Sequence, residues 1–92
     1  MTKDELVQAI AQKSGITPEQ TSSVINAFTE QIKGELSAGG KVTISGFGTF
    51  VISKRKAKTF VNPKTGQTHE LPERVLPHFR AGDNLQKNIR TV

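Results

Sequence analysis

Residues 53–74 have the sequence SKRKAKTFVNPKTGQTHELPER. Their spacing is typical of β-strands, yet few of them could contribute to a hydrophobic core. At the centre, Asn62-Pro63-Lys64-Thr65-Gly66 has the residues of a tight turn, since proline restricts φ and glycine permits a positive φ. A compact domain rarely keeps about 20 residues outside its core unless they form a functional or disordered segment. The sequence therefore predicts a two-stranded arm, with about eight residues per strand.

Positive charge is concentrated in this arm. Lys54, Arg55, Lys56 and Lys58 lie within five residues, and Lys64 lies in the predicted turn. Continuous strand spacing would place Lys54, Lys56 and Lys58 on one face. Such a ribbon is suited to binding phosphates. The alternative is a solvated edge hairpin, in which lysines prevent aggregation with other strands.

The rest of the chain shows the same asymmetry of charge. Residues 1–40 have a net charge of −2, whereas residues 41–92 have a net charge of +7, giving +5 in total. A strongly basic half indicates a polyanionic partner, either nucleic acid or an anionic membrane surface. Membrane binding would require a basic amphipathic helix. The predicted helices are acidic or mixed, so the sequence favours nucleic acid and no membrane.

The first 40 residues have the pattern of a helical hairpin. Capping boxes at residues 2–5 and 17–20 predict two helix starts. Gly15 is placed to end the first helix, which should span about residues 3–14. Apolar residues at spacings of three and four then predict a second helix of about 20 residues, ended by Gly39-Gly40.

After Gly40 the apolar period changes from 3.6 to 2, which indicates strands. Phe47 and Gly48 precede one of them, and an apolar strand resumes at Val75. The sequence thus predicts one α+β domain spanning residues 1–92. Its parts are a helical hairpin (1–40), a three-stranded antiparallel sheet (41–52 and 75–80), a protruding β-ribbon arm (53–74) and a short C-terminal helix (82–91).

Several classes of protein are not supported by the composition. The chain has no cysteine, so disulfides and thiolate metal sites are excluded and an intracellular setting is expected. Its charged start shows no evident export signal. His69 and His78 lack a second ligand at a suitable spacing, and no nucleophile motif occurs, so we expect no enzyme, no metal and no cofactor. With 34% hydrophobic residues a lone core would be thin, which favours oligomerisation.

The motifs occur in an order found in a known family. They are the helical hairpin, Gly46-Phe47-Gly48-Thr49-Phe50, the basic stem, Asn62-Pro63-Lys64-Thr65-Gly66, and Phe79-Arg80-Ala81-Gly82 before a last helix. Together they resemble the HU/integration host factor family of bacterial, nucleoid-associated, histone-like proteins that bend DNA. This resemblance covers essentially the whole chain. Each motif alone is weak evidence, but together they are hard to obtain by chance. Gly46 and Gly48 are expected to be turn and packing residues and not a phosphate loop, because the Gly-Lys pair and the following helix of a P-loop are absent.

The resemblance implies an intertwined dimer whose two arms enter the minor groove of double-stranded DNA. Pro63 would be the intercalating wedge that kinks the duplex, although its spacing alone fits an ordinary turn proline. Binding would show little sequence specificity, would favour distorted, nicked or bendable DNA, and would bend and condense it. The family also implies a homodimer, or a heterodimer with a paralogue, on the nucleoid in the cytoplasm.

The resemblance also assigns residues. Phe28, Phe47, Phe50 and Phe79 would form the dimer core. Lys3, Lys41, Arg74 and Lys87 could contact flanking DNA or be simply solvated. The predicted DNA-binding residues are Lys54, Arg55, Lys56, Lys58, Asn62, Pro63, Lys64, Arg74 and Arg80.

The chain departs from the family pattern next to the turn. Relatives commonly have Gly-Arg where this chain has Phe60-Val61, and Arg where it has Lys58. Phe60 could stack on sugar or base edges, or could stiffen the ribbon by packing with Val61 across the strands. The latter is preferred. His69 is expected to be a bystander on the surface. Two alternative functions stay open, an HU-fold protein-interaction module and a sequence-preferring subunit like integration host factor.

Overall fold

A computed structural model describes residues 1–90 of the chain. The chain divides into two compact units, Met1–Glu35 and the residues from Leu36 onward. The elements are α1 (Lys3–Ser14), α2 (Pro18–Ser37), β1 (Val42–Ile44), β2 (Gly48–Arg55), β3 (Lys58–Val61), β4 (Thr68–Leu71), β5 (Arg74–Ala81) and α3 (Asp83–Arg90).

Both helices of the first unit begin at a capping box. The Thr2 hydroxyl accepts a hydrogen bond from the Glu5 amide at 3.2 Å. At the second box the Thr17 hydroxyl accepts from the Gln20 amide, and the Gln20 side chain accepts from the Thr17 amide, both at 3.1 Å. Gly15 ends α1 with a φ of 71°, a value that favours glycine. The two predicted helices are confirmed. The capping hydrogen bonds satisfy amides at the helix starts that have no partner within the helix.

The hydrophobic core of this hairpin is small. Val7 and Ala11 are the only buried apolar residues in the part of the chain that the structure describes. Thr21 is also buried, and its hydroxyl donates to the Thr17 carbonyl at 2.9 Å. On α2, Val24 and Phe28 remain 63% and 46% exposed. The single chain therefore leaves a large part of its apolar surface uncovered.

In the second unit, β1, β2 and β5 form an antiparallel sheet in the order β1-β2-β5. β1 pairs only with the start of β2, from Ile44 opposite Gly48 to Val42 opposite Phe50. β5 pairs with the whole of β2, as far as Arg55. The sheet is thus three-stranded as far as Phe50 and continues beyond it as two strands.

Gly48 allows two strands of this sheet to accommodate an aromatic cluster. The Phe79 ring lies 5.2 Å from the Phe47 ring and 4.8 Å from the Phe50 ring, measured between centroids. A Cβ atom at Gly48 would come within 2.5 Å of the Phe79 ring and of the Arg80 carbonyl oxygen. A larger residue at this position would require the Phe79 ring or the strand backbone to shift.

α3 begins directly after Gly82. The Gly82 carbonyl accepts from the Gln86 amide at 3.0 Å, and its own amide donates to the Phe47 carbonyl at 2.8 Å. This second bond ties the start of α3 to the turn between β1 and β2. Residue 91, the end of the predicted last helix, lies outside the described residues.

Candidate nucleic-acid interface

The arm of residues 53–74 consists of a stem and a distal ribbon. In the stem, β2 and β5 pair as far as Arg55 opposite Arg74. The distal ribbon comprises β3 and β4, paired from Lys58 opposite Leu71 onward, and the turn between them. In both ladders the two residue numbers of each cross-strand pair add up to 129. The same register therefore continues from the stem into the distal ribbon.

The strands are interrupted between the stem and the distal ribbon, whereas the sequence predicted about eight paired residues on each side. Residues 56–57 and 72–73 belong to no strand. In the shared register Ala57 lies opposite Pro72, which has no N–H group to donate to the ladder. The arm therefore consists of two short ladders separated by a gap of two residues on each side.

Five of the six predicted cations of the arm line one concave surface, and the sixth, Lys64, lies in the turn. Lys54 and Arg55 lie on β2, Lys56 lies in the gap and Lys58 lies on β3, so the three lysines do not alternate along one continuous strand. All four, together with Arg74, line a concavity of about 410 Å³. Arg55 and Arg74 face each other as direct cross-strand partners. We call these five residues the basic concavity.

The basic concavity has no internal counter-charge. Within residues 1–90, the one ion pair joins Lys33 to Glu30 on α2, at 3.3 Å. The arm's own carboxylates, Glu70 and Glu73, therefore form no ion pair there. Like charges directly opposite each other destabilise a strand pair. An external anion that lies between the two arginines would remove this repulsion.

The turn at the end of the arm is held by Asn62. The side-chain oxygen of Asn62 accepts a hydrogen bond from the Lys64 backbone amide at 2.9 Å, and its backbone carbonyl accepts one from the Gly66 backbone amide at 2.8 Å. The backbone amide of Asn62 donates to the Gln67 backbone carbonyl at 2.9 Å. Gly66 has a φ of 70°. Pro63 is exposed within this hydrogen-bonded turn, and it has no N–H group that would require a partner.

The remaining predicted contacts are exposed and lie elsewhere. Arg80 lies on β5 opposite Thr49, in the three-stranded part of the sheet. Lys41 precedes β1, and Lys87 lies on α3. The Lys3 ammonium group donates a hydrogen bond to the side-chain oxygen of Asn26 on α2. A DNA contact of any of these four cations stays a prediction.

Phe60 packs against His69, not against Val61. The Phe60 and His69 rings face each other across β3 and β4, with centroids 5.5 Å apart and an angle of 33° between the planes. Val61 follows Phe60 on the same strand and so faces the opposite side of the ribbon. The predicted packing of Phe60 with Val61 across the strands is therefore wrong. His69 lies on the surface, as expected, and contacts the Phe60 ring.

The phenylalanines assigned to a dimer core are incompletely covered in the single chain. Phe28 and Phe47 are 46% and 43% exposed, and Phe50 and Phe79 are half-buried. Their burial between two chains stays a prediction.

Other kinds of site find no geometric basis in the described part of the chain. No three His, Asp or Glu side chains of residues 1–90 are grouped to hold a metal ion. Among the same residues, no helix has both the length and the apolar character to cross a membrane.

Comparison with known proteins agrees with the geometry of the arm. Residues 1–90 match the family model described as "Bacterial DNA-binding protein". This chain belongs to that family. DNA-binding protein HRm of Rhizobium meliloti is 43% identical over 89 residues, which cover 97% of this chain and 99% of the relative. Integration host factor subunit beta of Idiomarina loihiensis is 37% identical over 92 residues, covering 100% and 99%.

A solved structure of a bacterial DNA-binding protein shows the same fold. The cocrystal structure of Anabaena HU with DNA has a TM-score of 0.89 and 40% identity, covering 97% of both chains. The resemblance to the HU/integration host factor family and the α+β fold are thus confirmed. DNA binding follows from membership of this family, which also agrees with the prediction that the chain is not an enzyme.

Proposed function

We propose that a dimer of this chain holds duplex DNA between two arms, bends it through the minor groove and condenses it on the bacterial nucleoid in the cytoplasm. One observation carries this proposal. The arm presents five cations without a carboxylate partner in the described chain and ends in an exposed proline. This arrangement combines attraction to phosphates with an apolar wedge.

The basic concavity supplies the attraction. Each phosphate that Lys54, Arg55, Lys56, Lys58 or Arg74 neutralises releases condensed counterions, so affinity falls steeply with salt. Lys64 adds a cation beside the wedge, and Arg80 adds one on the sheet. Phosphates are present at every step of the duplex. Contacts of this kind position the protein but carry no sequence information.

Pro63 supplies the wedge. Its ring is apolar and rigid, and it has no N–H group to leave unsatisfied against a base pair. Asn62 holds the turn around it through three hydrogen bonds. Inserting such a ring costs a few kcal/mol of stacking per step, which wider contact between protein and bent DNA offsets. Nicked or distorted DNA is already partly unstacked, and should bind more tightly.

The thin core supports the dimer. Only Val7 and Ala11 are buried apolar residues among residues 1–90, whereas Phe28 and Phe47 stay more than 40% exposed. A second copy would cover these rings and provide the second arm. Phe50 and Phe79 would join the same core. A paralogue with the same apolar surface could replace the second copy.

A second candidate is a subunit that prefers particular sequences. It is favoured by the similarity to integration host factor subunit beta over the whole chain. Bendable steps and narrow grooves would then select sites through the shape of the DNA. Selection from a random pool of duplexes distinguishes the two candidates. Our main proposal expects no enriched motif beyond flexible steps, whereas a recurring motif would favour the second.

Gel shifts on linear, nicked and four-way DNA test the proposal. We expect binding to all three, tightest for the nicked and four-way forms, and a steep loss of affinity with salt. A protein-interaction module would show neither the preference nor the salt dependence. Equal affinity for all three forms would contradict the wedge, and no binding at low salt would contradict the whole proposal.

A further inference from the structure

The distal ribbon has two chemically different faces. In an antiparallel pair, cross-strand partners point to the same side, while neighbours along a strand point to opposite sides. The ladder of β3 and β4 therefore separates its side chains into two sets. One set, the aromatic face, contains Lys58, Phe60, His69 and Leu71, and the other contains Thr59, Val61, Thr68 and Glu70.

The aromatic face exposes a large apolar ring in a fixed orientation. Phe60 remains 46% exposed even though it lies against His69, with 5.5 Å between the ring centroids. Removing an exposed phenyl group from water lowers the free energy. Because its cross-strand neighbour already restricts the ring, a contact with a partner costs little further conformational freedom.

Charge distinguishes the two faces for an anionic partner. The aromatic face carries Lys58 and no carboxylate. The opposite face carries Glu70, which forms no ion pair within residues 1–90. A phosphate backbone that approached the opposite face would meet this carboxylate, whereas the aromatic face offers a cation beside the ring.

We propose that Phe60 is a second apolar contact to DNA, packing on the deoxyribose and base edges of the groove that the arm occupies, with His69 as a positioning residue. This inference rests on the proposed function of the arm.

The proposed contact has its own signature in affinity. Apolar packing on sugars and base edges does not release counterions, so its loss lowers affinity equally at every salt concentration. Phe60→Ala should weaken binding about tenfold without changing the salt slope, because it removes the apolar surface that the complex buries. His69→Ala should have a smaller effect in the same direction, and His69→Phe should restore affinity because it keeps a ring at that place.

Fluorescence tests the contact directly, because the chain contains neither tryptophan nor tyrosine. Phe60→Trp introduces a single emitter on the aromatic face, and Val61→Trp introduces a matched control on the opposite face. Anisotropy of a labelled nicked duplex measures binding of each variant in the same titration. We expect DNA to quench the emission of Phe60→Trp and protect it from acrylamide, and to leave Val61→Trp accessible.

Each outcome has a defined meaning. Binding of Phe60→Trp without quenching would overturn the contact, as would equal or stronger quenching of Val61→Trp. If Phe60→Ala binds as tightly as the unmodified protein, the contact is also overturned, whether or not the tryptophan variant folds. Failure of the unmodified protein to bind the duplex would instead contradict the proposed function of the arm.

Discussion

In the proposed complex, Pro63 and the cations of the arm would act on DNA through different physical effects. Lysines and arginines neutralise phosphates and release condensed counterions, which lowers the free energy of the complex. A proline ring has no charge, so its contribution depends on replacing stacking between bases. These two roles can be separated by single substitutions, because Pro63 is exposed in a turn whose hydrogen bonds are made by Asn62, Lys64, Gly66 and Gln67.

Pro63→Ala should reduce bending more than affinity. Alanine leaves in place the hydrogen bonds by which Asn62 holds the turn, but it removes the rigid ring. We expect a clearly smaller bend, with affinity changed by about threefold or less, because the lost contact and the avoided unstacking partly cancel. Energy transfer between the labelled ends of a duplex measures the bend. A normal bend in this variant would show that Pro63 is not the wedge.

Gly48 is required for packing. A Cβ atom there would lie 2.5 Å from the Phe79 ring and the Arg80 carbonyl, so Gly48→Ala should destabilise the protein by about 1–3 kcal/mol. Gly34 in α2 has no heavy atom within 4 Å of such a Cβ, and Gly34→Ala should stabilise by about 0.5–1 kcal/mol. Urea unfolding measures both variants. If Gly48→Ala did not lower the free energy of unfolding, the sheet would have to adjust to the added methyl group.

At the scale of elements, the sequence predicts the helices better than the arm. The starts of α1 and α2 are determined by capping residues three positions apart, such as Thr17 and Gln20, so a short stretch of sequence is enough to predict them. Which residues pair across the two strands of the arm depends on where the turn between the strands is centred. A centre at Lys64 would give a different register from the observed one, which is centred between Lys64 and Thr65.

A small error of register changes every cross-strand partner. The sequence therefore predicts a basic arm with Pro63 in its turn, but not that His69 lies opposite Phe60 or that Arg74 lies opposite Arg55. The interruption of the strands was missed for a related reason. Pro72 is visible in the sequence, but its effect depends on Ala57 being the residue opposite.

Removal of the arm lysines should weaken binding with a smaller effect on bending. Replacing Lys54, Lys56 and Lys58 with alanine removes three cations from the basic concavity. The slope of log affinity against log salt is negative, and its magnitude should decrease by about 2–3 if each of the three lysines contacts a phosphate. At saturating protein the bend should persist, because Pro63 is retained. Titrations of a labelled duplex at several salt concentrations measure the slope.

Lys13→Ala with Lys33→Ala is the control, since it removes two cations from the helical hairpin. We expect almost no change in slope. A comparable loss of slope in the control would indicate that net charge, and not the arm, determines affinity.

In the whole molecule, the described part of one chain leaves several large apolar side chains exposed. Val24, Phe28 and Phe47 are between 43% and 63% exposed. Small domains bury proportionally little surface on folding, and a dimer compensates for this. Folding and association should therefore be coupled.

The melting temperature should rise with protein concentration, because a dimer that unfolds to monomers is stabilised by mass action. Calorimetry over a hundredfold range of concentration measures this shift, and sedimentation equilibrium gives the mass of the folded species. A melting temperature independent of concentration, together with a monomeric mass, would contradict the dimer.

Two cationic arms that close on a duplex should bend it. Energy transfer across an end-labelled duplex, recorded with the unmodified protein at several salt concentrations, measures this bend. We expect the ends to approach each other on binding. The protein concentration needed should rise steeply with salt while the bend at saturation stays constant. A saturated complex whose ends are as far apart as those of free DNA would contradict bending by the arms.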